Sequence, residues 1–157
     1  VNTEEPVRIR AAKVTDAAEI AHIHMTSRAV SMPYLPPQIR NHEQVTQWAE
    51  EILVKGYRTW VAVRSGKLLG YAALDGNLLE HLYLRPDVRR QGVGTLLLDQ
   101  VKRNSPGRLV LHIFQLNTDA GEFYRHHGFI VLESTDGSRN MEKMPDQTLE
   151  WTALEAE

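Results

Sequence analysis

Arg89-x-x-Gly92-x-Gly94 is the stretch whose residue types and spacing could do chemistry: arginines and two glycines at the entrance of an apolar helical pattern, Val93, Leu96, Leu97 and Val101. Glycine is a poor helix former, so two at a helix entrance need a reason. A turn stripped of Cβ atoms lets anionic oxygens reach the backbone N–H groups, while the positive helix end, Arg89 and Arg90 supply charge. A diphosphate suits such a turn. Close packing is the competing use of the same glycines. The chain lacks Gly-x-x-x-x-Gly-Lys-Ser/Thr, and the spacing is not Gly-x-Gly-x-x-Gly followed by a distant acid. This excludes the ordinary nucleotide triphosphatase and dinucleotide-dehydrogenase loops.

The elements that must hold this turn follow from periodicity. Val7 to Arg10 alternates as a half-buried strand, and Thr15 or Asp16, with Glu19 after it, can cap a helix over 15–29. Three prolines in Ser31 to Pro37 forbid further helix, and a second helix is expected over 43–54 with Val45, Trp48, Ile52 and Leu53 on its apolar side. Thr59–Arg64 and Leu68–Leu74 around Ser65-Gly66-Lys67 read as a hairpin, and Leu78–Leu84 as a third strand. The glycine-turn helix ends at Asn104-Ser105-Pro106-Gly107. A strand over 108–115, a short helix from Asn117 to Gly128, a strand at 129–132 and a last strand over 141–151, interrupted at Pro145, complete the order. The fold class is α/β in the α+β sense: a mixed, mostly antiparallel sheet of six to seven strands with about four helices.

Composition narrows the function. The 157 residues, 42% hydrophobic, suit one domain with a real core. The absence of cysteine removes disulfides, thiolate ligands and a cysteine nucleophile. A net charge of −2 argues against nucleic acid as partner despite the arginines. No apolar run approaches a membrane span and no leader pattern is visible, so the expectation is a cytoplasmic protein with no membrane partner. No His-Glu-x-x-His pattern occurs, so no metal is expected. His22 and His24 cannot face one ligand together, His126 and His127 suit a helix end, and Trp48 and Trp60 read as core.

Leu82 to Thr95 resembles the acyl-coenzyme-A-binding segment of the GNAT superfamily of N-acetyltransferases, whose hallmark is Arg/Gln-x-x-Gly-x-Gly/Ala. Asn117-Thr118-Asp119-Ala120 with Phe123-Tyr124 and Gly128-Phe129 is similar to the superfamily's second segment, in the right order. Gly121 departs from it, since a better helix former is usual there. The resemblance covers 1–157 as a single domain of the small bacterial type.

That resemblance implies acetyl-CoA as cosubstrate, with its pyrophosphate on the amides of Arg89, Arg90, Gln91, Gly92, Val93, Gly94 and Thr95. It implies a sheet splayed between the strands ending at Leu84 and Gln115, with the pantetheine arm along Leu82, Tyr83 and Leu84. The Leu82 N–H would polarise the thioester carbonyl. Asn117 would meet the arm or cap its helix. Tyr124 is implied as the general acid for the departing thiolate; a phenol of pKa about 10 suits that proton. Without cysteine, the acceptor amine is expected to attack directly in a ternary complex. For the base, Glu80 stands two residues before Leu82 on the same strand face, His112 five before Asn117 on the partner strand, and a water chain is the third option. His81, on the opposite face, suits the task less. Met32, Tyr34 and Leu35 are the substrate-side residues in the proline-rich loop.

The function expected is N-acetyl transfer to a primary amine, of a small molecule or a protein N-terminus. The alternative is a non-catalytic acyl-CoA-binding sensor. Edge strands of this architecture can pair, which leaves a homodimer open.

Overall fold

The computed structural model describes residues 5–154. A seven-stranded sheet of order β1-β2-β3-β4-β5-β7-β6 is its spine. The strands are β1 (Arg8–Ala11), β2 (Arg58–Arg64), β3 (Lys67–Asp75), β4 (Leu78–Leu84), β5 (Arg108–Phe114), β6 (Ile130–Thr135) and β7 (Asp146–Thr152). All neighbours run antiparallel except β4 and β5, which are parallel and share a single registered pair, Leu78 with Val110. Beyond that pair the two strands part. The mixed, mostly antiparallel and splayed sheet read from the sequence is therefore the observed one.

Helices α1 (Ala17–Ser31) and α2 (His42–Trp48) cover one face, and α3 (Val93–Asn104) and α4 (Thr118–His126) the other. On the first face Ile20, Ile23 and Leu53 pack on Val61, Tyr71 and Ala73; on the second Val93, Leu97, Leu98 and Val101 pack on Ala72, Leu74, Leu109 and Leu149. Strands β2 and β3 alternate their side chains between these two cores.

The β2–β3 hairpin is expected where it occurs, but its turn has two residues and not three, because Lys67 already pairs with Arg64: Ser65 and Gly66 both take positive φ, 51° and 76°, which matches the right-handed twist of the strands. The second helix differs from its expected face. After α2 the chain widens into a π turn, Ala49–Val54, in which the Lys55 N–H donates to the Glu50 carbonyl five residues back at 3.1 Å. Val45, Ala49 and Leu53 become the buried set, Ile52 turns outward at 42% exposure, and Trp48 is half-buried. On α3, Leu96 is likewise 42% exposed, because the apolar stripe centres on Val93, Leu97 and Val101 and takes in Leu98 instead. The last strand begins only at Asp146. Residues 136–145 form a loop in which the Asn140 amide holds Met144 O at 2.7 Å and Asp146 Oδ2 at 3.2 Å.

Candidate functional site

The glycine turn joins β4 to α3, and its two glycines do different work. Gly92 is the N-cap of α3 with φ 83°, a left-handed conformation costly for any residue with a Cβ, and Arg90 two residues earlier has φ 63°. Space around Gly92 is open: a Cβ there would meet nothing within 4 Å. Gly94 is buried, and its Cβ would meet the Phe123 ring at 3.3 Å, so its lack of a side chain lets α4 approach α3. The packing use thus applies to Gly94, and the uncovered turn to Gly92.

A cavity of about 620 Å³ opens beside this turn. Its wall includes Arg89, Arg90, Gly92, Gly94 and Thr95, and it continues along Leu82, Tyr83 and Leu84 to Asn117 and Tyr124. Gln91 and Val93 do not line it; Val93 is fully buried in the core and Gln91 is exposed. The Arg89 guanidinium donates to the Ser31 hydroxyl and so ties the turn to the end of α1. Ser27 and Ser31 of α1 and Phe123 and His126 of α4 also belong to the wall. Sequence reasoning missed these four, because nothing local marks the side chains that a neighbouring helix brings to a turn.

A second cavity of about 350 Å³ lies across the splay. Met32, Glu80, His112, Phe114, Glu142 and Asp146 are in its wall, and Leu82, Tyr83, Asn117, Ala120 and Tyr124 are common to both cavities. Of the proline-loop residues, Met32 is buried in this wall, whereas Tyr34 packs behind it, edge-on to Phe114 at 6.2 Å, and Leu35 reaches neither cavity. Glu142 and Asp146 were missed: the loop before β7 has no periodicity that points its side chains anywhere.

The backbone of β4 faces this junction. The Arg85 N–H donates to the Leu69 carbonyl at 2.8 Å, and the groups of an antiparallel strand turn toward its partner at every second residue. Tyr83 and His81 therefore direct theirs to β3, and Leu82 and Leu84 direct theirs to the side where β5 has parted. Simple alternation fails between Leu79 and Glu80. His81 lies opposite Ala73 and Leu79 opposite Leu74, so Glu80 is the extra residue of a β-bulge, and the neighbours Leu79 and Glu80 both line the second cavity. Glu80 and Leu82 line the same cavity, as a shared strand face implies, and the residue the bulge puts out of phase is Leu79, which packs on that side as well.

Burial sets the protonation of these groups. Partial burial, with Asp75 adding like charge, holds the Glu80 carboxyl above the ordinary carboxylate range, and His112 opposes the rise. His112 itself is exposed, with Nδ1 2.9 Å from the Thr148 hydroxyl on β7. Tyr124 is 7% exposed, and desolvation pushes its phenol far above the usual value, so it stays protonated. Asn117 caps α4, its side-chain oxygen accepting from the Ala120 N–H at 3.4 Å. Gly121 faces only the flexible end of Arg125, at 3.1 Å from a built Cβ. Among the described residues no group of three or more His, Asp or Glu side chains could hold a metal ion, and no helix is long and apolar enough to cross a membrane.

A sheet parted between parallel central strands, with a glycine turn after the first and a capped helix after the second, is the arrangement that the resemblance to the GNAT superfamily implies. Residues 55–131 match the family described as Acetyltransferase (GNAT) domain, which places this segment in the GNAT acetyltransferase superfamily. It is similar to the peptidyl-lysine N-acetyltransferase YiaC of Escherichia coli, 27% identical over 62% of this chain and 66% of that protein. It is also similar to the peptidyl-lysine N-acetyltransferase YjaB of Salmonella typhimurium, 37% identical over 46% of this chain and 50% of that protein. The chain thus spans about half to two thirds of the length of these relatives. The fold superposes on that of yncA from Salmonella typhimurium, described with its cofactor acetyl-CoA, at a TM-score of 0.74, 19% identity, 98% of this chain and 97% of that one.

Proposed function

We propose that residues 5–154 form a single catalytic unit that transfers an acetyl group from acetyl-CoA to a primary amine, without a covalent intermediate on the protein. The observation behind this reading is the junction of two cavities at Leu82 and Tyr124, one at the glycine turn and the other bearing carboxylates. The first suits the cosubstrate: it has an uncovered left-handed N-cap, two arginines and a passage to unpaired β4 backbone groups. Acetyl-CoA would supply an activated acyl group. The chain's own residues would do the rest. The Leu82 N–H would donate to the carbonyl oxygen as negative charge grows there. Glu80 would take the ammonium proton, directly or through water, before the amine attacks. The Tyr124 hydroxyl would give its proton to the departing sulfur, whose own basicity rises in the same unsolvated space.

The acceptor class follows from the second cavity and the relatives together. Glu80, Glu142 and Asp146 give its wall an excess of carboxylates, which favours a cationic amine. YiaC and YjaB are both peptidyl-lysine N-acetyltransferases. A lysine side chain of a protein is therefore the acceptor to try first, ahead of a free amine or a protein N-terminus. The test is release of CoA thiol from acetyl-CoA with lysine peptides, N-terminal peptides and polyamines, varying both substrates. Intersecting reciprocal plots with a lysine peptide are expected. Parallel lines, or no turnover with any amine, would overturn the reading.

A further inference from the structure

Behind the bulge, on the α1–α2 side of the sheet, lies a group of side chains that the proposed chemistry leaves unused. His81 sits among four rings: Trp48 at 5.4 Å, Tyr83 at 5.6 Å, His24 at 5.8 Å and Tyr71 at 5.9 Å between centroids. The Tyr71 hydroxyl lies 3.1 Å from His24 Nδ1 and 3.5 Å from His81 Nδ1, so one phenol bridges an imidazole on α1 and an imidazole on β4. Tyr71 is fully buried and is among the largest such side chains of the molecule. A purely apolar core would fill this volume at lower cost, since each buried polar group must be desolvated and then matched. What distinguishes the spot is its place in the chain: His81 is the residue directly after the unpaired Glu80, and it resumes the β3–β4 register opposite Ala73.

We infer that His81, held by the Tyr71 hydroxyl and the surrounding rings, is a positioning residue that fixes the β4 bulge and thereby aims Glu80 into the acceptor cavity. A bulge inserts one residue that the ladder does not hold, so its direction must be set by what anchors the neighbours. Leu79 is anchored by the α3-side core, in which it is 4% exposed. On the other side of Glu80 the anchor is the His81 ring, which enters the opposite face of the sheet. With both neighbours fixed, the Glu80 side chain has one direction left. Without the second anchor the bulge can slide by a residue, so that Glu80 enters the ladder in place of His81 and changes face. This inference rests on the reading of Glu80 as the base.

The test uses Tyr71→Phe, which keeps the ring and removes the bridging hydroxyl, with His81→Phe and His81→Asn, whose amide stands near the place of Nδ1. Each full-length variant is measured for the pH profile of kcat/KM toward a lysine peptide, for acetyl-CoA affinity by calorimetry, and for the Glu80 carboxyl titration by NMR. The groups that face Glu80 and must be allowed for are Asp75 on β3, His112 on β5, Tyr57 before β2, and Glu142 and Asp146 in the cavity wall. Those around His81 are His24, Tyr71 and Tyr83, with Arg28 and Arg40 acting on His24.

Tyr71→Phe and His81→Phe are expected to lower kcat/KM by about tenfold or more, as misplacement of a reacting group does. Acetyl-CoA affinity should stay within about twofold, because the glycine turn lies elsewhere. The Glu80 titration and the acid limb should both move to lower pH, as the carboxyl gains solvent, and His81→Asn should recover most of the rate. An unchanged Glu80 titration in folded Tyr71→Phe and His81→Phe overturns the positioning role. Glu80→Gln is the separate control: if it keeps the rate and the acid limb, the base reading fails and takes this inference with it, whatever the NMR reads.

Discussion

Leu82 on β4 and Tyr124 on α4 each line both cavities, so a backbone donor and a buried phenol meet at the one place where the two spaces join. The parting of β4 from β5 makes this possible: a continued ladder would have consumed the Leu82 backbone groups and closed the passage beside Tyr124.

Tyr124→Phe should leave acetyl-CoA affinity within about twofold and lower kcat by about a hundredfold, the low end of what a positioned proton donor contributes. The ring packs edge-on to Phe129 at 5.2 Å and to Phe123 at 5.2 Å, and Phe keeps those contacts, so the thermal midpoint should hardly move. Single-turnover rates beside calorimetric binding separate the two effects. A kcat within threefold of the parent would remove Tyr124 from the chemistry.

The two glycines should answer differently to alanine. Gly92→Ala places a Cβ at φ 83° in open space, so its cost is backbone strain of about 1–2 kcal/mol, with weaker acetyl-CoA binding as the turn relaxes. Gly94→Ala presses on the Phe123 ring and should shift the α3–α4 packing, which circular dichroism in the near ultraviolet reads through the neighbouring aromatics. Equal effects of both changes on ligand affinity, with no difference in stability, would contradict this division of roles.

Acid should destabilise the fold through the imidazoles behind β4. Burial lowers His24 from 6.5 to about 4 and His81 from 6.5 to about 3, so both stay neutral in the fold while the unfolded chain takes up protons below 6.5. The stability they contribute is complete above pH 6.5 and is lost as pH falls through about 4 and then about 3. The loss per imidazole approaches about 1.4 kcal/mol per pH unit inside that window. Urea melts at pH 7 and pH 5 should differ less for His24→Gln than for the parent. An equal difference would place the acid sensitivity elsewhere.

Glu142→Gln should raise the KM for a lysine peptide severalfold and leave kcat nearly unchanged, since a carboxylate in the cavity wall attracts the ammonium equally before and during reaction. The effect should shrink at high salt, because Glu142 is exposed. Initial rates at two ionic strengths test both statements.

Much of this was legible in the chain because the signals are local. Ser65-Gly66 specifies its hairpin turn by positive φ, Asn117 caps α4 through its own side chain, and the glycine turn and the Phe123-Tyr124 segment mark the family in the sequence itself. Three features were decided only by tertiary structure. A π turn after Trp48 rotates Ile52 outward, a bulge beside Glu80 turns Leu79 to the cavity side, and packing recruits Ser27, Ser31, Glu142 and Asp146 to cavity walls. Periodicity assumes an unbroken helix or strand, so one inserted residue escapes it. Side chains from distant segments meet only when the sheet brings them together. The sequence by itself determined the order of the elements and the residues able to do the chemistry, because propensity and capping act within a few residues. The burial of Tyr124 and the meeting of two cavities depended on the splay and on the packing behind it, which are sums of contacts between residues far apart in the chain.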